Sequence, residues 1–191
     1  ARMRSTEGLL RQSERMAQLG TLTAGVAHEL NNPAAAVKRG AAQLTDSVES
    51  YAKSQRAIAG FALSPVQEDS LSALLTEVGE LALNPPEIDP LDRSDLEYEL
   101  QSWLEERAIE DAWQIGPDLV NAGFTKAKLD SLEETFGSEA APAVAILASK
   151  SAGVSGLLAE VGQASGQISN IVGSLKTYSY LDQAPVQTID V

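Results

Sequence analysis

The chain has 191 residues, of which 43% are hydrophobic and 21% charged, and this composition is typical of a globular protein of one or two domains. Its formal net charge of −13 argues against nucleic acid and anionic membranes as partners, because both require a basic surface. With no cysteine and a single histidine, the chain cannot form disulfides or use a cysteine nucleophile, and no metal site is expected.

The first predicted element is a long helix within residues 1–50. Apolar or small residues recur at heptad spacing in two interleaved series, namely Leu9, Met16, Thr23 and Leu30, and Gln12, Leu19 and Val26. This spacing is typical of a helix with a coiled-coil-like seam. Further apolar residues beside the seam favour a helical bundle over a two-stranded coil. We therefore interpret residues 1–50 as a first dimerisation helix.

Residues 51–137 carry too much apolar patterning for a loop and predict a small inserted helical domain. Four helices are expected there: one from Glu68 to Leu83, one capped by Ser94 or Asp95, a short one after Pro117, and one that Thr125 caps and that ends near Gly137. Trp103 and Trp113 are interpreted as core aromatics. The carboxylates of Glu105, Glu106, Glu110 and Asp111 are interpreted as a solvated face.

A second long helix is predicted from about Ser138 to Tyr180, within residues 138–182. Two heptad series support it, namely Leu147, Val154, Val161, Ile168 and Leu175, and Ser151, Leu158, Ser165 and Val172. Residues 183–191 read as a linker. Because no segment alternates with period two, the predicted class is all-α.

No apolar stretch reaches the roughly 20 uninterrupted residues that cross a bilayer, and the first residues lack the apolar core of a signal peptide. We therefore expect a cytoplasmic protein without a membrane span in this part of the chain.

Four residues, one of them the single histidine, form the candidate site. With Leu30 at heptad position a, His28 falls at position f, farthest from the seam, and should face solvent. Asn32 lies one turn later on the same face and can engage the same phosphoryl group or water. Glu29 can accept a hydrogen bond from one ring nitrogen and leave the other as the nucleophile. Pro33 cannot donate to the Glu29 carbonyl, which predicts a kink that serves as a structural hinge.

The stretch His28-Glu29-Leu30-Asn31-Asn32-Pro33 resembles the phosphoacceptor box of the dimerising histidine kinase A family, whose pattern is His-Glu-x-x-Asn/Thr-Pro. The preceding run from Met16 to Ala27 resembles the residues before the histidine in those kinases. The run from Ile168 to Tyr180 is similar to the second bundle helix of the family. A long helical insertion stands where the family ordinarily has a short loop.

The resemblance implies a fold and a reaction. Each chain would form a long antiparallel helical hairpin, and two chains would form a four-helix bundle as a homodimer, with the small helical domain inserted. His28 would accept the γ-phosphoryl group of ATP and pass it to an aspartate in the receiver domain of a response regulator. Glu29 would act as general base, and Asn32 would position phosphate or, in the phosphatase reaction, a water molecule.

The catalytic half of such a kinase is not recognisable in the sequence. There is no Gly-x-x-x-x-Gly-Lys-Ser/Thr loop and no glycine-rich lid. The chain stops about where the ATP-binding domain of the family would begin, so we expect it to hold no cofactor, to be inactive alone, and to rely on its own missing ATP-binding domain as a partner. By resemblance, the parent protein-histidine kinase would use ATP and Mg.

Two alternatives remain open at this point. A non-catalytic helical scaffold would use the seam for association only and would be indifferent to His28→Ala. A stand-alone phosphorelay protein would receive phosphate from elsewhere and would never have had an ATP-binding domain.

Overall fold

The computed structural model describes the backbone of residues 2–181 and the side chains of residues 25–177. Within this part the chain forms five helices and no strand: α1 (Arg2–Ile58), α2 (Pro65–Leu83), α3 (Pro90–Glu105), α4 (Ala112–Asn121) and α5 (Lys126–Leu181). The predicted all-α class is confirmed. The seam positions before residue 25 lie outside the described side chains, and the predicted linker 183–191 lies outside the described residues.

Helix α1 is 57 residues long and contains Pro33. Pro33 has no N–H to donate to the carbonyl of Glu29. The residues on both sides of it are nevertheless helical, and the proline ring itself is buried. The first helix therefore continues past Pro33, as the apolar pattern predicted, and the role of Pro33 as a hinge stays a prediction.

Helices α2 and α3 begin earlier than the sequence pattern suggested. At α2, Ser64 and Gln67 form a reciprocal capping box, and Pro65 occupies the first turn. At α3, the Asp89 carboxylate accepts a hydrogen bond from the backbone N–H of Leu91 at 2.9 Å. The prediction that Ser94 or Asp95 caps this helix was therefore wrong. The helix begins earlier, because Asp89 caps it and Pro90 occupies its first turn.

Helix α4 contains Pro117 in its interior, whereas the sequence predicted that a helix would start after it. Helix α5, the next helix along the chain, begins where the sequence predicted. The Thr125 hydroxyl accepts from the backbone N–H of Lys128 at 3.3 Å, and the Thr125 carbonyl accepts from Leu129 at 3.1 Å. This arrangement confirms Thr125 as the cap of α5.

Helix α5 is broken at Gly137, where φ is 81° and ψ is 162°. These angles lie in a region that only glycine occupies readily, since a Cβ would clash with the backbone. The break separates two helical segments inside α5. It confirms the prediction that one helix ends near Gly137 and that the second long helix starts at about Ser138.

The described chain divides into two compact units. One takes the residues up to Arg39 and those from Val161 on, and the other is Gly40–Glu160. The larger unit contains an apolar core whose biggest fully buried side chains are Val78, Leu100, Leu104, Leu119, Val120, Phe124, Leu129, Val144 and Leu147. Because Val144 and Leu147 belong to α5, the predicted insertion 51–137 shares its core with the first part of the second long helix.

The two tryptophans occupy opposite environments. Trp103 is buried, and its indole N–H donates to Asp130 at 3.2 Å, which confirms it as a core aromatic. Arg107 stacks on the Trp103 ring at 3.7 Å from the ring centre and also pairs with Glu133. Trp113 is largely exposed, so its assignment to the core was wrong. Helical spacing alone did not distinguish it, because Trp113 stands just after the start of α4 at the edge of the packed face.

Helix α5 passes one test for a membrane span. It holds an 18-residue window of mean hydropathy 1.4, of which 33% is buried inside the protein. The criterion concerns length and composition only, and a buried core helix meets it as well. The expectation of no membrane span stays a prediction.

Candidate functional site

The candidate phosphoacceptor lies on the outward face of α1. Between residues 25 and 40, the covered or half-covered apolar side chains are Val26, Leu30, Pro33, Ala36 and Val37. At 100° per residue, the centre of this face points almost directly away from His28. His28 is exposed, as its heptad position predicts.

The covered face of α1 has a counterpart on α5 within the same compact unit. There the least exposed side chains are Val161, Ala164, Ile168 and Ile171, which recur at intervals of three and four residues. Both apolar stripes belong to the unit that combines residues up to Arg39 with those from Val161. The covered side chains lie on one side of α1, and the opposite side of the helix, which carries His28, is exposed.

The other predicted site residues are distributed around His28 as follows. Asn32 is exposed and lies one turn further on, about 40° around the helix from His28, so the two side chains share a face. Glu29 is exposed at the flank of this face. Pro33 is on the buried side of the helix and cannot contact a group bound to His28. The helix thus brings His28 and Asn32 together, and Pro33 contributes to packing.

Gly25 is not needed to make room for the imidazole. A Cβ built at Gly25 would meet nothing within 4 Å, the His28 side chain included.

One further residue on the same face was not singled out from the sequence. Arg39 is exposed, eleven residues after His28, and the interval of eleven is close to three helical turns. The Cα of Arg39 is therefore displaced about 16 Å along the axis on the same side of the helix. The periodicity of the face could have identified it, because His28, Asn32, Ala35 and Arg39 recur at steps of four, three and four.

The described side chains show neither a metal-ligand cluster nor one of the two larger cavities at His28. Among them, no group of three or more His, Cys, Asp or Glu residues is placed to hold a metal ion. Two cavities of about 500 Å³ occur in the unit Gly40–Glu160, and His28 lines neither of them.

Comparison with known proteins adds no family to this description: no family model matches the chain, and neither a curated protein nor a solved structure is significantly similar to it. The functional interpretation therefore rests on the residues around His28 and on the helix that presents them.

Proposed function

We propose that this chain is the dimerisation and phosphoacceptor region of a two-component sensor histidine kinase, with His28 as the phosphorylated residue. The observation that carries the proposal is the exposure of His28, with Asn32 one turn later, on the face of α1 opposite its packed side. Both residues belong to the His-Glu-x-x-Asn-Pro motif. A histidine that served only to pack the helix would lie on the other side.

The proposed chemistry needs a free ring nitrogen and open space in front of it. In the first step, a ring nitrogen of His28 attacks the γ-phosphorus of ATP, the bond from that phosphorus to the bridging oxygen breaks, and ADP leaves. The Glu29 carboxylate accepts a hydrogen bond from the other ring nitrogen and supports the positive charge on the ring. In the second step, the P–N bond breaks and a receiver-domain aspartate gains the phosphoryl group.

Asn32 is proposed to position the phosphoryl group in both directions of the reaction. Its carboxamide has donors for a phosphate oxygen and an acceptor for a water molecule. Since it lies one turn from His28 on the same face, one side chain can serve phosphorylation and hydrolysis.

Exposed apolar residues on α5 support the proposed homodimer. Val172 and Leu175 belong to the two predicted seam series, and both are exposed in the single chain. A second copy would cover them in a four-helix bundle, because a single helical hairpin cannot bury an apolar stripe on two sides. The bundle, and the change in its packing that would show or hide His28, are parts of the proposal.

The test is phosphoryl transfer from radiolabelled ATP in the presence of the separate ATP-binding domain of the parent kinase. We expect acid-labile label on the wild-type chain and none on His28→Ala. Lys38→Ala is the matched control, because Lys38 is also exposed on α1 but lies about 15 Å along the axis from His28 and about 80° around the helix from it. It should keep the label, whereas Asn32→Ala should slow loss of the label by hydrolysis.

A folded dimer that takes no label, or His28→Ala that takes as much as wild type, would reject the proposal in favour of a helical scaffold. Label that arrives only from another phosphorylated protein, never from ATP, would indicate a phosphorelay protein instead.

A further inference from the structure

Three large apolar side chains are exposed on α3 and α4 in the unit Gly40–Glu160. Leu91 is 71% exposed, Tyr98 73% and Trp113 62%. An isolated exposed apolar residue needs no explanation, but exposed aromatic residues are the side chains that most often anchor protein interfaces. The arrangement of these three therefore bears on function.

The three side chains belong to one face of the pair of helices. Leu91 and Tyr98 are seven residues apart and so lie on the same side of α3, away from its buried Leu100 and Leu104. Helix α4 contacts α3 at Gly116, where an added Cβ would stand 3.2 Å from the Glu97 carbonyl oxygen. Gly116 also contacts Gln101, which follows Tyr98 by three residues, so α4 borders the side of α3 that carries Tyr98.

Trp113 lies at this border. It precedes Gly116 by three residues, which is close to one turn, and the two therefore lie on neighbouring sides of α4. The same added Cβ at Gly116 would be 3.6 Å from the Gln101 side chain of α3. Because α4 follows α3 after a short connection, Trp113 accordingly stands near the C-terminal half of α3. We call the surface formed by Leu91, Tyr98 and Trp113 the aromatic face.

The aromatic face is surrounded by negative charge. Residues 87–111 contain ten carboxylates and two arginines, a formal net charge of −8 within a chain of −13. Both arginines are already engaged. Arg93 donates to Asn121 at 2.8 Å and lies 3.6 Å from Glu97, and Arg107 pairs with Glu133 beneath the Trp103 stack. These arginines pair with only two carboxylates of the segment, Glu97 and Glu106, and the other eight form no ion pair among the described side chains.

The negative charge around the aromatic face indicates which kind of partner can bind it. A second copy of this chain would bring two surfaces of the same sign together, and an anionic lipid surface would be repelled for the same reason. Lysine and arginine side chains gain from both features, since they pair with carboxylates and bind over the rings of tryptophan and tyrosine. We propose that the aromatic face binds a basic amphipathic segment of another protein, whose apolar residues cover Leu91, Tyr98 and Trp113.

The experiment uses the full chain and a synthetic amphipathic helix of about four turns, with leucine on one face and lysine on the other. Its binding is measured by the fluorescence anisotropy of a dye on the peptide. We expect Trp113→Ala and Tyr98→Ala each to weaken binding about tenfold, the loss typical of an aromatic anchor. A peptide with glutamate in place of lysine should not bind.

Val66→Ala is the matched control. Val66 is 73% exposed in the same unit but lies on α2, outside the aromatic face. It should bind the lysine peptide as wild type does. All four proteins should have the same thermal midpoint, because each substituted side chain is exposed.

The proposal is overturned if Trp113→Ala and Tyr98→Ala bind as tightly as wild type, since attraction by net charge alone would then explain the affinity. Equal weakening by Val66→Ala would also overturn it. So would concentration-dependent dimerisation that disappears in Trp113→Ala without any effect on the peptide, because the occupant would then be a second copy. High salt screens surface charges. If wild type still binds the peptide more tightly than Trp113→Ala at high salt, the result supports the proposal.

Discussion

Arg107 combines a stacking interaction, a hydrogen bond and an ion pair. Its guanidinium stacks on Trp103, donates to the Trp103 carbonyl at 2.8 Å and pairs with Glu133. Its Nε atom is buried without a hydrogen-bond partner. This atom lies in the group that stacks on the indole ring, so the stacking offsets part of the cost of its burial.

Arg107→Ala should destabilise the protein by about 2 kcal/mol, because it removes the stack and leaves the partly buried Glu133 carboxylate without a cation. The measurement is the free energy of unfolding from urea titration followed by circular dichroism. Arg93→Ala is the control, since Arg93 forms a more exposed pair with Glu97, and its loss should cost about 0.5 kcal/mol. Equal effects of the two substitutions would show that the stack on Trp103 contributes nothing.

Asp130 is the residue whose titration the structure shifts most clearly. The hydrogen bond from Lys126 lowers the pKa of Asp130 below its ordinary value, and the Trp103 hydrogen bond and the Arg107 charge act in the same direction against partial burial. A carboxyl whose pKa is lower in the folded state stabilises the fold above its unfolded pKa. This contribution is lost as the pH falls through the lower, folded pKa.

Lys126→Met should therefore raise the pKa of Asp130 toward its ordinary value, as measured by NMR titration of the carboxyl carbon. Lys128→Met is the control, because Lys128 pairs with Glu77 instead. An unchanged Asp130 pKa in Lys126→Met would contradict the assignment of the shift to this hydrogen bond.

Two glycines of helix α5 have opposite effects on its stability. Gly137 adopts φ 81° and ψ 162° at the break, whereas Gly153 lies inside the helix, where an added Cβ would meet nothing within 4 Å. The first glycine is required by the backbone, and the second only lowers helix propensity.

Gly137→Ala should destabilise the protein by about 1 to 3 kcal/mol, and Gly153→Ala should stabilise it by roughly 0.5 to 1 kcal/mol. Midpoints of urea unfolding at unchanged slope would measure both. If Gly137→Ala were neutral, the two segments of α5 would have to join as one continuous helix without the break.

The ends of helices were predictable from the sequence where they depend on residues next to them in the chain. Thr125 and Gly137 were identified as the limits of a helix because a capping hydroxyl and a glycine act on adjacent backbone. The start of α3 was missed because Asp89 and Ser94 are both good caps, and only the packing of the helix decides which of them stands at its end.

At the scale of the whole molecule, the unit Gly40–Glu160 does not coincide with the predicted insertion 51–137. Its core includes Ala141, Val144, Ala145 and Leu147 from α5, which are essentially inaccessible. The inserted helices α2, α3 and α4 therefore share one core with a long helix that the sequence pattern assigned to dimerisation.

A chain shortened to residues 40–160 should fold on its own, whereas residues 51–137 should not, because the shorter chain loses the α5 side of the core. Calorimetry should show one cooperative transition for 40–160, with an enthalpy of about 80 kcal/mol. A cooperative transition of residues 51–137 alone would show that the insertion is an independent domain.

The sequence by itself determined the helical class, the two long helices and the position of His28 opposite an apolar stripe, because heptad spacing and one motif act over a few turns. Only the tertiary structure decided that Trp103 is buried and Trp113 exposed, that Arg107 covers Trp103, and that α5 completes the core of the insertion. These facts depend on which helix faces pack together. An apolar pattern in the sequence shows that a helix face will be buried, but it does not show which other helix buries it.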